Sequence, residues 1–264
     1  MRAPMIRTCL AAAALSSGLG LGTAGSAWAA GEEKEAPKLS WSFEGPFGRY
    51  DRAQLQRGYR VYREVCANCH SMSLLSFRNL SQPGGPGFTE AQAKQIASEF
   101  KVKDGPNESG EMFERPGRLS DRFPNPFPNE QAARAANGGA MPPDLSVMAK
   151  ARADGTDYLH ALLVGYSDPP AGVEIPAGRY FNAYFPGGQI TMPPPLSDGQ
   201  VPYTDGTPTT VDQYAKDVSA FMMWAAEPKL EQRKQMGFHV LSFLAIFAGL
   251  LYLTKRKIWS GLDH

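Results

Sequence analysis

Cysteine is scarce in this sequence, with three among 264 residues. Cys9 lies in an apolar N-terminal stretch that follows Arg2 and Arg7 and ends in Ala-Trp-Ala at residues 27–29. This pattern is typical of a signal peptide cleaved after Ala29, and the alternative is a retained membrane anchor. Cleavage leaves only Cys66 and Cys69, which excludes a scaffold held together by several disulfides.

A strong excess of either charge is also absent, because the net charge of the chain is +1. The distribution is uneven, since residues 30–228 contain 19 Lys and Arg against 24 Asp and Glu, a net −5. A mildly acidic domain favours a basic partner over nucleic acid, with scattered surface charge as the alternative. The acidic candidates form two groups along the chain: Asp104, Glu108, Glu111 and Glu114, then Asp154, Asp157, Asp168 and Glu174.

Residues 237–254 form an apolar run without Asp, Glu, Lys or Arg. As a helix this run is roughly 27 Å long, close to the thickness of a bilayer core, so it predicts one transmembrane helix. Lys255, Arg256 and Lys257 follow it, which indicates a cytoplasmic end. The sequence therefore predicts a signal peptide (1–29), an extracytoplasmic domain (30–228), a stalk (229–236), a membrane span (237–254) and a cytoplasmic tail (255–264). In a bacterium this places a single-pass protein in the inner membrane, with its domain in the periplasm.

The body of the chain has little strand signal and many loops rich in Pro and Gly. Helices are predicted at Asp51–Val65 and Val211–Ala226, and Leu55, Tyr59 and Tyr62 share one face of the first. Thr89 is the predicted N-cap of a further helix, and Thr156 or Asp157 that of a helix ending at Gly165. The predicted fold class is mainly α, with long irregular loops and one C-terminal transmembrane helix.

The motif Cys-Ala-Asn-Cys-His at residues 66–70 carries the clearest chemistry. In Cys-x-x-Cys-His the two thiols form thioethers with the vinyl groups of a haem, and the histidine becomes an axial ligand of the iron. We therefore predict one covalent haem c, held by Cys66 and Cys69 with His70 on the iron, in a c-type cytochrome domain.

Three other readings of this motif are weaker. A zinc site needs about four ligands, and no second Cys/His pair is present. A thioredoxin-like pair would open a helix after a strand, whereas this pair follows a predicted helix. A disulfide in so short a loop would be strained and would leave His70 unexplained.

The sixth ligand of the iron separates an electron carrier from a protein that binds small molecules. Met192 and Met141 both lie in loops stiffened by proline, and a thioether suits haem iron. We favour Met192, because its loop precedes the last long helix of the domain, as in small c-type cytochromes; Met141 is the alternative. Arg134 lies in a predicted loop that could reach the haem propionates, or it is a solvated surface arginine.

The sequence resembles the cytochrome c1 family from about Trp41 to Leu262. The resemblance rests on the haem motif, on "RPGRLSDRFPNPFPNEQAARAANGGAMPPDLS", on "YFNAYFPGGQITMPPPL", and on "WAAEPKLEQRKQMG" with the apolar run that follows it. It implies thioether bonds at Cys66 and Cys69, axial ligands at His70 and Met192, and a propionate contact for Arg134. Some bacterial relatives carry an extra disulfide that braces the distal side, for which no cysteine remains here.

The resemblance also implies a function in a quinol:cytochrome c oxidoreductase, the cytochrome bc1 complex, which would be dimeric. Its partners would be cytochrome b, the Rieske iron–sulfur protein as electron donor, and a soluble c-type cytochrome as acceptor. The chain alone would be an electron carrier, and the enzyme would be the complex. The alternative is a membrane-anchored haem peroxidase or gas sensor with an open sixth position on the iron.

Overall fold

The structure, a computed structural model, describes residues 34–261. Apart from short 3-10 turns, these residues form α1 (Arg52–Glu64), α2 (Glu90–Ser98), α3 (Glu130–Ala136), α4 (Gly155–Val164), α5 (Val211–Ala226) and α6 (Leu230–Trp259). Strand β1 (Lys101–Asp104) pairs with β2 (Phe113–Pro116), and β3 (Tyr180–Phe181) pairs with β4 (Gln189–Ile190), both antiparallel. The predicted mainly helical class with a C-terminal apolar helix is confirmed. The predicted signal peptide lies outside the described residues.

The crossing of α1 and α5 forms the centre of the domain. Asp51 caps α1 by accepting from the backbone N–H of Ala53 and Gln54. The two backbones meet at Gly58, where an added Cβ would lie 2.1 Å from the Asp217 carbonyl oxygen and 2.7 Å from Cβ of Phe221. Only glycine permits so close an approach, because any side chain there would push the helices apart.

Aromatic side chains fill the space beside this crossing. Tyr59 and Tyr62 of α1 contact Phe221 of α5 with ring centroids 5.7 and 5.8 Å apart, and Tyr62 stacks on Phe123 at 6.0 Å. Such offset and edge contacts add to the stabilisation from burying the rings. Tyr59 and Tyr62, which share one face of α1, therefore belong to the core.

The local patterns place most of the helices. The helix predicted at Asp51–Val65 is α1 with its cap, the boundaries Val211–Ala226 are those of α5, and Thr89 caps α2 in a capping box with Gln92. These predictions are confirmed.

The predicted start of α4 is wrong. Its N-cap is Asp154, a non-glycine residue with a positive φ of 57°, so neither Thr156 nor Asp157 caps the helix. Asp157 instead lies inside α4, buried, and accepts from Trp41 Nε1 at 2.7 Å and from the Leu39 N–H at 3.2 Å. A distant tryptophan supplies the partner of this carboxylate, which no local pattern reveals.

The position of Arg134 differs from the expected loop, since it lies in the last turn of α3. Helix α3 is one of the shortest in the described part of the chain, and Asn129 caps it by accepting from the Ala132 N–H at 2.8 Å. The strands β1 and β2 enclose the acidic run that begins at Asp104, a hairpin that the sequence did not predict.

Helix α6 continues through the predicted stalk and span as far as Trp259. A break of three residues at Glu227–Lys229 separates it from α5, where Pro228 cannot continue the hydrogen-bond ladder. Its length and composition suit a membrane span, and none of its apolar window is buried against the rest of the domain.

The first turns of α6 are bound to the domain by contacts that we call the collar. Leu230 is buried in the core at 3% exposure, and Glu231 accepts from Arg52 at 2.7 Å and from the Tyr50 N–H at 3.0 Å. Lys234 donates to the Phe43 and Gly48 carbonyls at 2.6 and 3.2 Å. Residues 230–234 of the predicted stalk are therefore bound to the folded domain.

We expect Leu230→Ala in the full chain to lower the free energy of unfolding by about 3 kcal/mol, since it removes buried apolar volume and leaves a cavity. Leu241→Ala is the matched control, because Leu241 lies in the same helix at 69% exposure. Denaturant unfolding in detergent, followed by circular dichroism, measures both. Equal stability of the two variants would show that the collar does not support the domain.

Candidate functional site

The cysteine motif forms a tight turn directly after α1. Residues Cys66–Asn68 are one 3-10 turn, and the Cys66 carbonyl accepts from the N–H of Cys69 at 3.1 Å and of His70 at 2.8 Å. The Asn68 side chain donates to the Glu64 and Val65 carbonyls, both at 3.2 Å, so it closes the end of α1 onto the turn. The three motif side chains are thus held within one turn of backbone.

The environment of the cysteines is unlike that of a redox pair. Both thiols are free, and burial raises the pKa of Cys66 to about 12. A thiol–disulfide enzyme needs a lowered pKa, because the thiolate is the nucleophile. Within residues 34–261, no three His, Cys, Asp or Glu side chains cluster as ligands of a metal ion. The raised pKa of Cys66 is thus opposite to what a thiol–disulfide enzyme needs, and residues 34–261 hold no ligand cluster for zinc.

His70 is oriented by a backbone carbonyl distant in sequence. Its Nδ1 lies 2.9 Å from the Pro143 carbonyl oxygen, which can only accept, so Nδ1 carries the proton and Nε2 has the free lone pair. Burial lowers the pKa of His70 despite this hydrogen bond, which keeps the ring neutral. A neutral ring with a free Nε2 is the form that ligates a metal.

Asp144 fixes the segment that carries this carbonyl. Its carboxylate accepts from Ser71 Oγ at 2.8 Å, from the Ser73 N–H at 2.9 Å and from the Ser146 N–H at 2.8 Å. Burial alone would raise the pKa of Asp144, but hydrogen bonds from Ser146 and Ser73 outweigh it and hold that pKa well below the usual range. The carboxylate therefore joins residues 71–73 to residues 143–146.

Sequence reasoning missed both Pro143 and Asp144. The bond from the Ser146 N–H to Asp144 is an Asx turn, for which Asp-Leu-Ser after two prolines is a readable signal. The partnership with Ser71 and Ser73 has no such signal, because it joins segments about seventy residues apart.

Met192 lies in a half-buried loop, and its backbone carbonyl accepts a hydrogen bond from a tyrosine. Tyr166 donates its hydroxyl to the Met192 carbonyl at 3.1 Å. The alternative ligand, Met141, is 43% exposed. Neither methionine side chain is fixed by a polar contact, as expected for a thioether.

The segment 134–143 connects the surroundings of Met192 and His70. In the middle of this segment, Gly138 approaches Thr191, the neighbour of Met192, since a Cβ at Gly138 would lie 3.9 Å from Cγ2 of Thr191. At its end, Pro143 holds His70. One stretch of chain thus contacts both predicted axial ligands or their neighbours.

Arg134 lies at the beginning of this segment and is about half exposed. Its guanidinium donates to Glu130 at 2.7 and 2.9 Å and to the Gly139 carbonyl at 3.1 Å. The contact with Gly139 binds the side chain to the loop that approaches Met192.

The other two histidines of residues 34–261 take no part in this site. His160 is buried in α4, and its Nε2 lies 2.9 Å from Asp212 Oδ1. His239 lies on the exposed surface of α6.

Comparison with known proteins finds sequence similarity over almost the whole chain. The sequence model of the Cytochrome C1 family matches residues 41–262. Cytochrome c1 of Rhodospirillum rubrum is 45% identical over 273 residues, which cover 97% of this chain and 99% of that protein. The mitochondrial cytochrome c1-2 heme protein of Solanum tuberosum is 51% identical over 250 residues, 95% of each chain.

A longer relative is also similar. Cytochrome b/c1 of Bradyrhizobium diazoefficiens is 56% identical over 243 residues, 85% of this chain and 35% of that protein. This chain therefore corresponds to about a third of that relative's length. With the family match over 41–262 and full-length relatives at these identities, the chain belongs to the cytochrome c1 family, the haem-carrying electron-transfer subunits of cytochrome bc1 complexes.

Proposed function

We propose that this chain carries one electron through a single covalent haem c, from the Rieske iron–sulfur protein to a soluble c-type cytochrome. It works beside cytochrome b in a dimeric complex, anchored by α6 with its haem domain in the periplasm. The observation that carries the proposal is the hydrogen bond from His70 Nδ1 to the Pro143 carbonyl, next to a cysteine turn that leaves both thiols free.

The donor set supports this cofactor. Cys66 and Cys69 supply the thiols for two thioethers, and His70 supplies Nε2 to the iron. The bound haem accepts and releases one electron, and the protein sets its potential through ligands, burial and hydrogen bonds. The chain's own task is therefore to fix the ring, exclude water and present an edge to its partners.

The second axial ligand in this proposal is Met192. Its backbone is fixed by Tyr166, and Thr191 lies against the segment that leads to Pro143. A thioether on the sixth position closes the iron to small molecules and raises the potential relative to a second histidine. The peroxidase or gas-sensor alternative requires that position to be open.

Arg134 is proposed to neutralise a haem propionate. Its guanidinium has five donors, of which contacts to Glu130 and Gly139 use three. The side chain can thus keep its loop contact while donating to a propionate, and the Glu130 carboxylate limits the net positive charge it offers.

The ion pairs of the candidate acidic residues reduce the number that could form the docking face for the soluble cytochrome. Asp104 pairs with Arg115, and Asp154 with Lys38, so their charges are locally compensated. Asp157 is buried against Trp41. Four exposed carboxylates without a side-chain partner within residues 34–261 are the better contributors: Glu108, Glu111, Asp168 and Glu174.

Met192→Leu should leave the haem attached but lower its reduction potential and open the reduced iron to carbon monoxide, because leucine has no donor atom. Met141→Leu, the matched control, should behave like the parent, which should bind no carbon monoxide. Visible spectra with and without the gas, together with a redox titration, measure both effects. Carbon monoxide binding by the parent would favour the sensor alternative, and binding by the Met141 variant alone would reverse the ligand assignment.

Asp144→Ala should lower the free energy of unfolding by about 3 kcal/mol, since it leaves Ser71 and two backbone N–H donors without a charged acceptor. It should also broaden or shift the haem's redox transition, because Pro143 is then held less firmly against His70. Asp168→Ala is the control, as Asp168 is exposed. Unchanged stability and potential would show that Asp144 does not support the axial histidine.

Electron transfer from the reduced protein to a basic cytochrome c should slow as salt rises, because exposed charges steer the encounter and the Debye length is about 8 Å at physiological ionic strength. The double variants Glu108→Gln with Glu111→Gln, and Asp168→Asn with Glu174→Gln, should lower the rate at low salt. Met112→Ala controls for a neutral change in the same hairpin. If the stopped-flow rates of the parent and of every variant do not change with salt concentration, the acidic residues do not steer docking.

A further inference from the structure

The loop Glu44–Arg49, which we call the basal loop, exposes an aromatic ring that nothing in the described chain covers. Phe47 is 80% exposed, more than any other large apolar side chain of residues 34–261. Arg49 is exposed as well, and its guanidinium has no partner within the same residues. Exposure of the Phe47 ring leaves apolar area in water, and the guanidinium beside it is free to pair with an anion, so the loop presents a small amphipathic tip.

The basal loop is held in a fixed conformation. The Arg49 N–H donates to the Ser42 carbonyl at 2.9 Å, and Gly45 turns the chain with a φ of 66°. A Cβ at Gly48 would lie 1.8 Å from the Glu44 carbonyl oxygen, so only glycine closes the loop. Phe47 is therefore exposed by a built turn rather than by a loose segment.

The collar fixes this loop to the start of the anchor helix. Lys234 donates to the carbonyls of Phe43 and Gly48, which border the basal loop or belong to it. On the other side of the loop, the Tyr50 N–H donates to Glu231. Both collar residues belong to the first two turns of α6.

The length of α6 places these turns beside lipid headgroups. Its 30 residues extend over roughly 45 Å, whereas a bilayer is about 30 Å thick in its hydrocarbon core and 40–45 Å with its headgroups. Lys234 precedes the uncharged run at Gly237 by about 4.5 Å of helix axis. The basal loop is thus fixed at the level of the membrane interface.

We propose that the basal loop is a second membrane contact, in which Phe47 enters the interfacial region of the leaflet on the haem-domain side and Arg49 pairs with lipid phosphate. Aromatic rings concentrate at this depth, and guanidinium groups bind phosphate strongly. A single helix leaves a domain free to tilt about its base. A second contact restricts that tilt and so fixes the orientation of the haem domain towards the membrane.

Lipid is favoured over a protein partner by continuity with the membrane span. The collar attaches the loop to the part of α6 that emerges from the bilayer, so lipid is present at that level without any further subunit. Glu44, at the other end of the loop, is exposed and offers no apolar surface that would enlarge a protein interface. The candidate contact is a small apolar tip with one cation, which suits insertion among headgroups.

The test is to place a nitroxide on Phe47→Cys in the full haem-loaded chain, reconstituted in vesicles of phosphatidylcholine and phosphatidylglycerol. With Cys66 and Cys69 in thioethers, and with Cys9→Ser in the parent and in every variant, the new thiol is the one labelled. Met112→Cys is the matched control, because Met112 lies in the hairpin between β1 and β2 and is 64% exposed. The parent chain is labelled in parallel, and label on the parent would report a failure of the proposed haem attachment rather than of the membrane contact.

Collision rates of the nitroxide with oxygen and with a water-soluble nickel chelate measure its depth. We expect the oxygen-to-chelate ratio at position 47 to exceed that at position 112 several-fold, and Arg49→Gln to reduce the difference. Equal, water-like ratios at the two positions would overturn the proposal. A label that is shielded from both reagents, and only in the assembled complex, would also overturn it and assign the basal loop to a protein partner.

Discussion

The crossing of α1 and α5 at Gly58 is the constraint on which the rest of the structure depends. Each of these helices leads at its C-terminus into a functional element: α1 into the turn with Cys66, Cys69 and His70, and α5 into the break before the anchor helix. The angle and distance of one contact between two backbones therefore relate the predicted haem turn to the membrane. A side chain at Gly58 would lie only 2.1 Å from the Asp217 carbonyl and would move both ends at once.

The helices alone do not complete the site, because its remaining groups lie on long irregular segments. The charged carboxylate of Asp144 gathers three donors and brings the Pro143 carbonyl to His70. The same segment passes beside Thr191 at Gly138 and is held to α3 by the hydrogen bond from Arg134 to the Gly139 carbonyl. Polar contacts to the helices and between loops therefore order the irregular segments. Such contacts are specific in geometry, which suits a site that must position one ring without rearranging.

Local patterns were enough to predict α1, the Thr89 cap, the boundaries of α5 and the apolar anchor, since each depends on residues close in sequence. They failed where a distant partner decides the outcome. Asp157 lies inside α4, where its carboxylate accepts a hydrogen bond from Trp41. The N-cap of the helix is therefore not Asp157 but Asp154, which has a positive φ. Contacts that a single sequence does not display also set three further features. These are the hairpin at Lys101–Pro116, the helical position of Arg134, and the hydrogen bond between the Pro143 carbonyl and His70.

Hydrogen bonds, rather than a disulfide, hold the loop that contains Met192. Within residues 34–261 the only cysteines are the two of the predicted haem motif, so no disulfide braces the loop of Met192. Here Asn182 is fully buried and links the end of α4 to the loop, donating to the Leu162 carbonyl at 2.7 Å and accepting from the Tyr184 N–H at 3.0 Å. Tyr166, which follows α4, pairs with Asn182 through a backbone bridge and reaches the Met192 carbonyl with its hydroxyl. A buried amide whose hydrogen bonds are satisfied is costly to displace, because opening the loop would leave its donors and acceptors unpaired. The segment that leads to Met192 is therefore bound to the end of α4 through Asn182 and to Tyr166, two residues beyond that helix, by hydrogen bonds alone.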